Sequence, residues 1–244
     1  MNKKISIVIP VYNEEENIRS LYQIIKNILI CLNDDYEIIF IDDGSKDKTY
    51  ETLKETKAKD THIKIIKLAK NYGQLYAILA GFEFAKGDII ITMDGDLQND
   101  PYDIPKFLAK MNDGFDLISG WRCGRNDPLS RKLISKTFNW LIIRRTGIAL
   151  HDYGCALTAT RKELIDRLKS YGRNARFIKP LLANLANSVA EIKVSHYPRK
   201  AGKSKYNLVK IIKSGLDFLF NFTIEPKGRN NLSCNINIEE IIGS

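Results

Sequence analysis

The chain has 244 residues, of which 44% are hydrophobic, and its formal net charge is +9 with an isoelectric point near 9.2. This length suffices for one large domain, or for one domain with a tail. The basic excess, which is concentrated between residues 122 and 213, indicates an anionic partner such as a phosphate-bearing substrate, an anionic membrane or a nucleic acid. Four widely spaced cysteines and three histidines disfavour a Cys/His zinc site and fit free thiols in a reducing compartment.

The first residues and the apolar runs of the chain indicate whether it has a signal peptide or a membrane-spanning segment. Met1-Asn2-Lys3-Lys4 passes directly into a strand pattern, without the apolar region of a signal peptide. No apolar run approaches the ~20 residues that span a bilayer. We therefore expect a cytoplasmic protein.

Strand and helix patterns alternate over the first 120 residues. Strands are predicted at 5–10, 37–41, 63–68, 88–93 and 116–119. Helices are predicted at 15–30, from about 45 to 58, at 74–85 and from Pro101 onward. This order predicts an α/β domain with a mainly parallel, doubly wound sheet.

The pattern loosens after residue 120. A basic helix is predicted at 130–146, a further strand at 189–197 and an amphipathic helix at 205–222. From residue 225 onward Asn, Gly and charged residues dominate, so the segment 223–244 is predicted to be a poorly ordered tail.

Two carboxylates follow the predicted strand 88–93. Asp94 and Asp96 are one residue apart, and the carboxamide of Gln98 is two residues further on. Hard cations such as Mg²⁺ or Mn²⁺ bind oxygen ligands of this kind and share them with phosphates. The pattern favours a metal-dependent site for a nucleoside diphosphate, and a solvated acidic turn is the alternative.

Two further strand ends contribute polar residues to the same edge of the predicted sheet. The first strand ends in Pro10-Val11-Tyr12-Asn13-Glu14, and the second ends in Asp42-Asp43-Gly44-Ser45. A carboxylate at such an edge can accept from ribose hydroxyls, and a tyrosine ring can face a base. Helix capping is the alternative role of Asp42 and Asp43. Neither a P-loop nor a G-x-G-x-x-G follows the first strand, which disfavours ATPase and NAD-binding functions.

Three motifs in this order and spacing resemble the inverting glycosyltransferases of family 2, fold type A. They are Ile-Val-Ile-Pro-Val-Tyr-Asn-Glu, Ile-Asp-Asp-Gly-Ser and Met-Asp-Gly-Asp-Leu-Gln, and the segment Lys-Asn-Tyr-Gly at 70–73 fits the same pattern. Later motifs resemble the polyprenyl-phosphate glycosyltransferases within that family, namely Gly-Trp-Arg at 120–122, His-Asp-Tyr-Gly-Cys at 151–155, Arg-Phe-Ile at 176–178 and the basic segment 196–206. The resemblance covers about residues 4–215.

The resemblance implies a Rossmann-like single domain at 1–222, with a nucleotide-sugar half at 1–120 and an acceptor half at 121–222. The nucleotide would be bound by Pro10, Tyr12, Glu14, Asp42, Asp43, Asn71, Gly73 and Asp94. A divalent cation, Mg²⁺ or Mn²⁺, would be held by Asp94, Asp96 and Gln98. The acceptor phosphate would be bound by Arg122, Arg131, Ser135, Arg199 and Lys205. Asp96 and Asp152 would be the catalytic residues.

The implied reaction is transfer of a sugar from a nucleotide sugar, with UDP favoured, to a polyprenyl phosphate. A GDP-mannose-dependent mannosyltransferase is the nearest alternative. Because a phosphate monoester is already anionic at neutral pH, we expect Asp152 to orient substrates and not to act as an obligatory base. His151 and His196 are expected to be structural.

The resemblance also implies partners. Relatives often have two transmembrane helices after the catalytic domain, and this chain has none, so we expect peripheral binding to the cytoplasmic face of a membrane through the helix at 205–222. Packing of that helix on the domain's own core is the alternative. A homo-oligomer is possible, and no nucleic acid is expected. Two other function classes stay open: a haloacid-dehalogenase-like phosphatase and a truncated, inactive binding module.

Overall fold

One mixed sheet of eight strands forms the centre of the molecule in a computed structural model, which describes residues 4–32, 34–123, 129–197, 208–225 and 236–243. The strands in chain order are β1 (Ile5–Val11), β2 (Tyr36–Asp42), β3 (Ile63–Leu68), β4 (Ile89–Thr92), β5 (Leu117–Arg122), β6 (Thr158–Arg161), β7 (Val189–Val194) and β8 (Ile238–Ile242). Their order across the sheet is β7-β5-β6-β4-β1-β2-β3-β8. The predicted α/β class and mainly parallel sheet are confirmed.

Helices cover both faces of this sheet. They are α1 (Ile18–Leu32), α2 (Thr49–Lys57), α3 (Gln74–Phe84), α4 (Ile104–Asn112), α5 (Leu129–Thr146), α6 (Lys162–Leu168), α7 (Ile178–Leu185) and α8 (Leu208–Asn221), with 3₁₀ turns at Pro101–Asp103 and Lys169–Arg176. Side chains alternate between the faces along each strand. In β1, Ile7 and Ile9 pack into a core with α1 and α4, whereas Val8 packs into a second core with α3.

The strand directions bring four strand ends to one edge of the sheet. Strands β4, β1, β2 and β3 are neighbours and mutually parallel. Strand β6 is antiparallel to both β4 and β5, so β5 runs in the same direction as β4. The carboxyl ends of β1, β2, β4 and β5 therefore face the same side, where open α/β sheets bind ligands.

Two parts of the chain differ from the sequence-based expectation. Strand β6 and the helices α6 and α7 had no predicted counterpart. The prediction of a poorly ordered tail at 223–244 is wrong for residues 236–243, because β8 pairs antiparallel with the edge of β3. Residues 226–235 of the predicted tail lie outside the described residues, as do 205–207 of the predicted amphipathic helix.

Within the ranges that the structure covers, no helix combines the length and the apolar character needed to cross a membrane.

Candidate active site

The turns after β1 and β2 are hydrogen-bonded to each other. Asn13, whose φ is +53°, donates its N–H to the Ser45 hydroxyl at 3.0 Å, and its side-chain oxygen accepts the Lys46 N–H at 2.8 Å. The Glu14 N–H donates to the Thr49 hydroxyl at 2.8 Å. Asn and Asp tolerate the left-handed conformation better than other non-glycine residues, so Asn13 suits this turn. The predicted residues Pro10, Tyr12 and Glu14 are thereby fixed beside the end of β2.

Burial differs among these first predicted residues. Pro10 lies in the buried strand β1, and Tyr12 is half-buried. Glu14 is buried, and its carboxylate accepts a hydrogen bond from the Asn17 side-chain amide at 2.8 Å. The Tyr12 ring therefore has the exposure needed to face a ligand, while Glu14 supports its own turn.

Asp42 ends β2 as a fully buried carboxylate. Its Oδ1 accepts the Ser45 N–H at 3.1 Å, whereas its Oδ2 has no hydrogen-bond partner among the described residues. Burial raises the pKa of Asp42, although the hydrogen bonds from Ser45 act in the opposite direction. A buried acceptor without a partner costs about 1–3 kcal/mol, so this oxygen favours an incoming N–H or O–H donor.

Asp43 holds the loop that leads into α3. Its two carboxylate oxygens accept the N–H groups of Tyr72 at 2.7 Å and Gly73 at 2.9 Å, and its carbonyl accepts from the Asn71 amide at 3.2 Å. Gly44 has φ +70°, and a Cβ there would lie 2.5 Å from the Lys70 carbonyl carbon. The structure thus brings the predicted Asp43, Asn71 and Gly73 together, and the Asp43 carboxylate accepts backbone N–H groups that hold the loop 70–73 in place.

Asp94 and Asp96 lie directly after β4, beside the end of β1. A Cβ at Gly95 would lie 2.6 Å from Val11 Cγ1, so glycine permits this close approach. Asp94 accepts a hydrogen bond from the Gln74 side chain of α3. Asp96 is buried, and its Oδ1 accepts the Gln98 N–H at 3.1 Å.

The residues predicted as metal ligands offer oxygen atoms only, which fits a hard cation. Among the described residues, no group of three or more His, Cys, Asp and Glu side chains is placed to hold a metal ion. The side-chain Nε2 of Gln98 donates to the Tyr197 backbone carbonyl at 3.4 Å. The backbone carbonyl of Gln98 accepts the Tyr197 N–H at 2.9 Å. Two carboxylates fit Mg²⁺ or Mn²⁺ when a substrate diphosphate and water complete the ligands.

Arg122 at the end of β5 forms a two-pronged ion pair with Asp152. Its Nε donates to Oδ2 at 2.7 Å and its Nη2 donates to Oδ1 at 2.9 Å. Burial opposes the charge of Arg122, but the hydrogen bonds to Asp152 outweigh it and raise the pKa of the guanidinium. Asp152 thus occupies two donors of the Arg122 guanidinium, and any role of Arg122 in binding an acceptor phosphate stays a prediction that rests on its remaining N–H groups.

The Asp152 loop has further supports that the sequence did not reveal. Asn139 of α5 donates to the carbonyls of Leu150 at 2.6 Å and His151 at 3.3 Å, and it accepts the Tyr153 N–H at 3.1 Å. Glu191 of β7 accepts the His151 N–H at 2.8 Å. These contacts join segments that are distant in the chain, so no local sequence pattern could predict them.

His151 and Lys179 make further contacts in this region. The His151 ring stacks on Trp121 with centroids 4.0 Å apart, and its Nδ1 lies 2.7 Å from Glu191. Lys179 of α7 is buried and donates to the Ser119 hydroxyl at 3.0 Å and to the Cys155 carbonyl. Burial lowers the pKa of Lys179.

Most of the predicted acceptor-phosphate residues are not described in atomic detail. Ser135 is half-buried on α5, one turn before Asn139. Arg199, Lys205 and the side chain of Arg131 lie outside the described residues.

Comparisons with known proteins agree with this geometry. The family described as glycosyl transferase family 2 matches residues 6–169. Undecaprenyl-phosphate 4-deoxy-4-formamido-L-arabinose transferases of Salmonella choleraesuis and Salmonella typhimurium are each 44% identical over 226 residues, covering 92% of this chain and 69% of the relative. The crystal structure of glucosyl-3-phosphoglycerate synthase from Mycobacterium tuberculosis with Mn²⁺, UDP and phosphoglyceric acid is 16% identical, with a TM-score of 0.64 over 89% of this chain and 76% of that one.

Proposed function

Since the chain belongs to glycosyl transferase family 2, we propose that it transfers one sugar from a nucleotide-sugar donor to a polyprenyl phosphate, with inversion at the anomeric carbon. The observation that carries this proposal is the convergence of Asp42, Asp94, Asp96 and Asp152 at one edge of the sheet, in a chain 44% identical to enzymes named for an undecaprenyl-phosphate acceptor. The family assignment removes the phosphatase alternative.

The donor would lie across the ends of β1, β2 and β4. The Oδ2 atom of Asp42, which finds no hydrogen-bond partner in the part of the chain that the structure describes, would accept an N–H or O–H of the nucleoside, and the half-buried Tyr12 ring would face the base. A UDP-sugar is favoured because the structural neighbour named above was solved with UDP. GDP-mannose is the nearest alternative.

A divalent cation would be held by Asp94 and Asp96, with Gln98 beside them. When bound, such a cation neutralises the charge that develops on the departing diphosphate. The protein's own contribution is to hold both carboxylates rigidly. Gln74 of α3 fixes Asp94, and the N–H of Gln98 fixes Asp96.

The acceptor oxygen needs positioning more than deprotonation. The second pKa of a phosphate monoester is about 6, so the attacking oxygen is already anionic at neutral pH. Both oxygens of Asp152 accept hydrogen bonds from Arg122, and Oδ1 also accepts the Gly154 N–H at 3.1 Å. A carboxylate with this many donors is better suited to orienting a sugar or an acceptor than to removing a proton.

The acceptor's lipid chain would enter from a membrane surface beside α5 and α8. These helices pack together through Phe138 and Phe218, with ring centroids 5.7 Å apart. Trp140 of α5 is exposed, as are Leu216 and Phe220 of α8. The basic side chain of Arg144 lies over the Trp140 ring. Exposed aromatic and basic residues are typical of surfaces that rest on anionic lipid headgroups.

A product assay tests the proposed function. The purified protein is incubated with Mn²⁺, undecaprenyl phosphate in detergent and, one at a time, a panel of UDP-sugars and GDP-sugars, and the lipid fraction is examined by mass spectrometry. We expect one donor to give a glycosylated lipid phosphate, and phosphoglyceric acid to be no substitute for the lipid. Donor binding without any product would favour the inactive binding module. Neither binding nor product across the panel would contradict the proposed function.

A further inference from the structure

We infer that Tyr72 is a positioning residue of the donor site and that strand β8 fixes it there. The inference rests on the proposed function only in assigning the loop 70–73 to the donor. The contacts themselves are independent of that assignment.

Tyr72 is hydrogen-bonded through both its backbone and its side-chain hydroxyl. Its backbone N–H donates to the Asp43 carboxylate at 2.7 Å, and its hydroxyl accepts the backbone N–H of Asn237, immediately before β8, at 3.1 Å. Its half-buried ring packs against the core formed with α3. Tyr72 thus connects the start of the edge strand β8 to the carboxylate of Asp43.

The same end of β8 also binds the start of this loop directly. The Ala69 N–H donates to the Asn237 carbonyl at 3.0 Å, and Ile236 is buried against the same core. On the other side, Gly44 leaves no room for the loop to move inward, because a Cβ there would already collide with Lys70. The loop is therefore held between the turn after β2 and the start of β8.

Two acidic side chains of β8 fasten the strand to the elements that flank Asp42. Glu239 pairs with Lys67 of β3 at 2.8 Å, and Glu240 accepts from the Tyr50 hydroxyl of α2 at 2.5 Å. Lys67 is the register partner of Asp42 in the parallel β2–β3 pair. These contacts thus hold β8 in place next to Asp42, where the nucleoside would bind.

The loop that Tyr72 fixes leads to the paired carboxylates. Gly73 precedes α3, and Gln74, the first residue of α3, donates to Asp94. A displacement of Tyr72 would be passed along the backbone through Gly73 to Gln74, two residues on, which orients Asp94. Loss of the Tyr72–Asn237 contact should therefore weaken donor binding while leaving the acceptor side unaffected.

Asn237 offers a matched pair of variants. Asn237→Pro removes the N–H that Tyr72 accepts and keeps the carbonyl that Ala69 needs, and proline is tolerated at the first positions of an edge strand. Asn237→Ala keeps both groups and changes only an exposed side chain. Tyr72→Phe removes the hydroxyl from the other side of the same hydrogen bond.

The experiment measures two quantities in the full chain. The first is amide hydrogen exchange at Tyr72 and Gly73, which needs no ligand. The second is the KM for the productive donor, with the KM for undecaprenyl phosphate and kcat measured alongside. We expect Asn237→Pro and Tyr72→Phe each to speed exchange at both amides and to raise the donor KM about three- to tenfold, the worth of one hydrogen bond. Asn237→Ala should match the wild type, and the double variant should be no worse than either single variant.

The outcomes separate this inference from the proposed function. Unchanged exchange at Tyr72 and Gly73 in both variants would overturn the positioning role, whatever the enzyme's substrate. Additive effects in the double variant, or an equal rise in both KM values, would also overturn it, because either would show general destabilisation. Absence of any product from the wild type would contradict the proposed function alone, and the exchange data would still decide the role of Tyr72.

Discussion

Arg122 and Asp152 form a buried two-pronged ion pair, in which both guanidinium-to-carboxylate hydrogen bonds are shorter than 3.0 Å. The side chains are only 13% and 7% exposed. A buried pair of this kind stabilises weakly as a pair, but loss of one partner leaves a buried charge uncompensated. The pair therefore fixes Asp152 at the end of β5 and makes its replacement costly.

Replacement of Asp152 by Asn should lower the free energy of unfolding by about 3–5 kcal/mol, because Arg122 then keeps its charge without a counterion. Urea unfolding followed by circular dichroism measures this change. Glu55→Gln is the matched control, since Glu55 pairs with Arg19 at 2.6 Å on the exposed surface. That exposed pair is worth at most about 1 kcal/mol. Equal losses in the two variants would contradict the buried-pair interpretation.

The pH profile of the same Asp152→Asn variant tests how Asp152 acts. If Asp152 orients substrates, the residual kcat should follow the same pH dependence as the wild type between about pH 6 and pH 9. Steady-state rates at saturating substrates measure this. A limb of the profile that is present in the wild type and absent from the variant would show that Asp152 is a general base.

Asp60, on the side of the sheet away from the candidate site, should control acid stability. Burial alone would raise its pKa, but hydrogen bonds from Tyr22, His62 and Lys26 outweigh burial and lower the pKa of Asp60 well below its usual value. Because the folded-state pKa lies below the unfolded value of about 3.9, this stabilisation is complete above about pH 5 and is lost as the pH falls.

We therefore expect Asp60→Asn to destabilise the protein at pH 7 by about 1–3 kcal/mol and to reduce the loss of stability between about pH 5 and pH 3. Asp113→Asn, on the exposed end of α4, is the control and should change neither quantity. Thermal unfolding at several pH values checks this. Parallel curves for the wild type and Asp60→Asn would contradict the assignment.

The exposed apolar surface of α8 should bind membranes. Phe220 is 77% exposed, and its replacement by Ser removes apolar area without disturbing the buried Phe218. We expect Phe220→Ser to bind vesicles of phosphatidylcholine and phosphatidylglycerol several-fold more weakly in a sedimentation assay. Ile30→Ser removes an exposed apolar residue from α1 and should bind as the wild type does. Equal binding by both variants would place the membrane surface elsewhere.

The sequence predicts where Asp42 and Asp94 lie in the fold because each of the apolar runs ends next to polar residues. Each of β1, β2 and β4 is a buried apolar strand, so its last residue locates the polar residues that follow. The parallel order then brings Asp42 and Asp94 to one edge. The roles of Asp43 and Arg122 could not be predicted, because their partners, the loop 70–73 and Asp152, are fixed only by tertiary packing.

The acceptor half was harder to predict for related reasons. Strand β6 has four residues of the sequence Thr-Ala-Thr-Arg, which lacks an apolar run. Asn139 and Glu191 lie in an ordinary helix and an ordinary strand, and only the fold brings them to the Asp152 loop. Strand β8 lies outside the acceptor half and was missed for a different reason: it follows a polar segment and is stabilised by pairing with the edge of β3, which composition does not report.

Lipid-product formation by wild-type protein and by the variants Asp96→Asn and Asp113→Asn is the most direct test of sugar transfer at this site. Each protein receives the productive nucleotide sugar, Mn²⁺ and undecaprenyl phosphate, and the initial rate is measured by mass spectrometry of the lipid fraction. We expect Asp113→Asn to match the wild type and Asp96→Asn to lose at least about 100-fold in rate while remaining folded, as removal of a key electrostatic group typically does. Undiminished product from folded Asp96→Asn would contradict the placement of the reaction at the paired carboxylates.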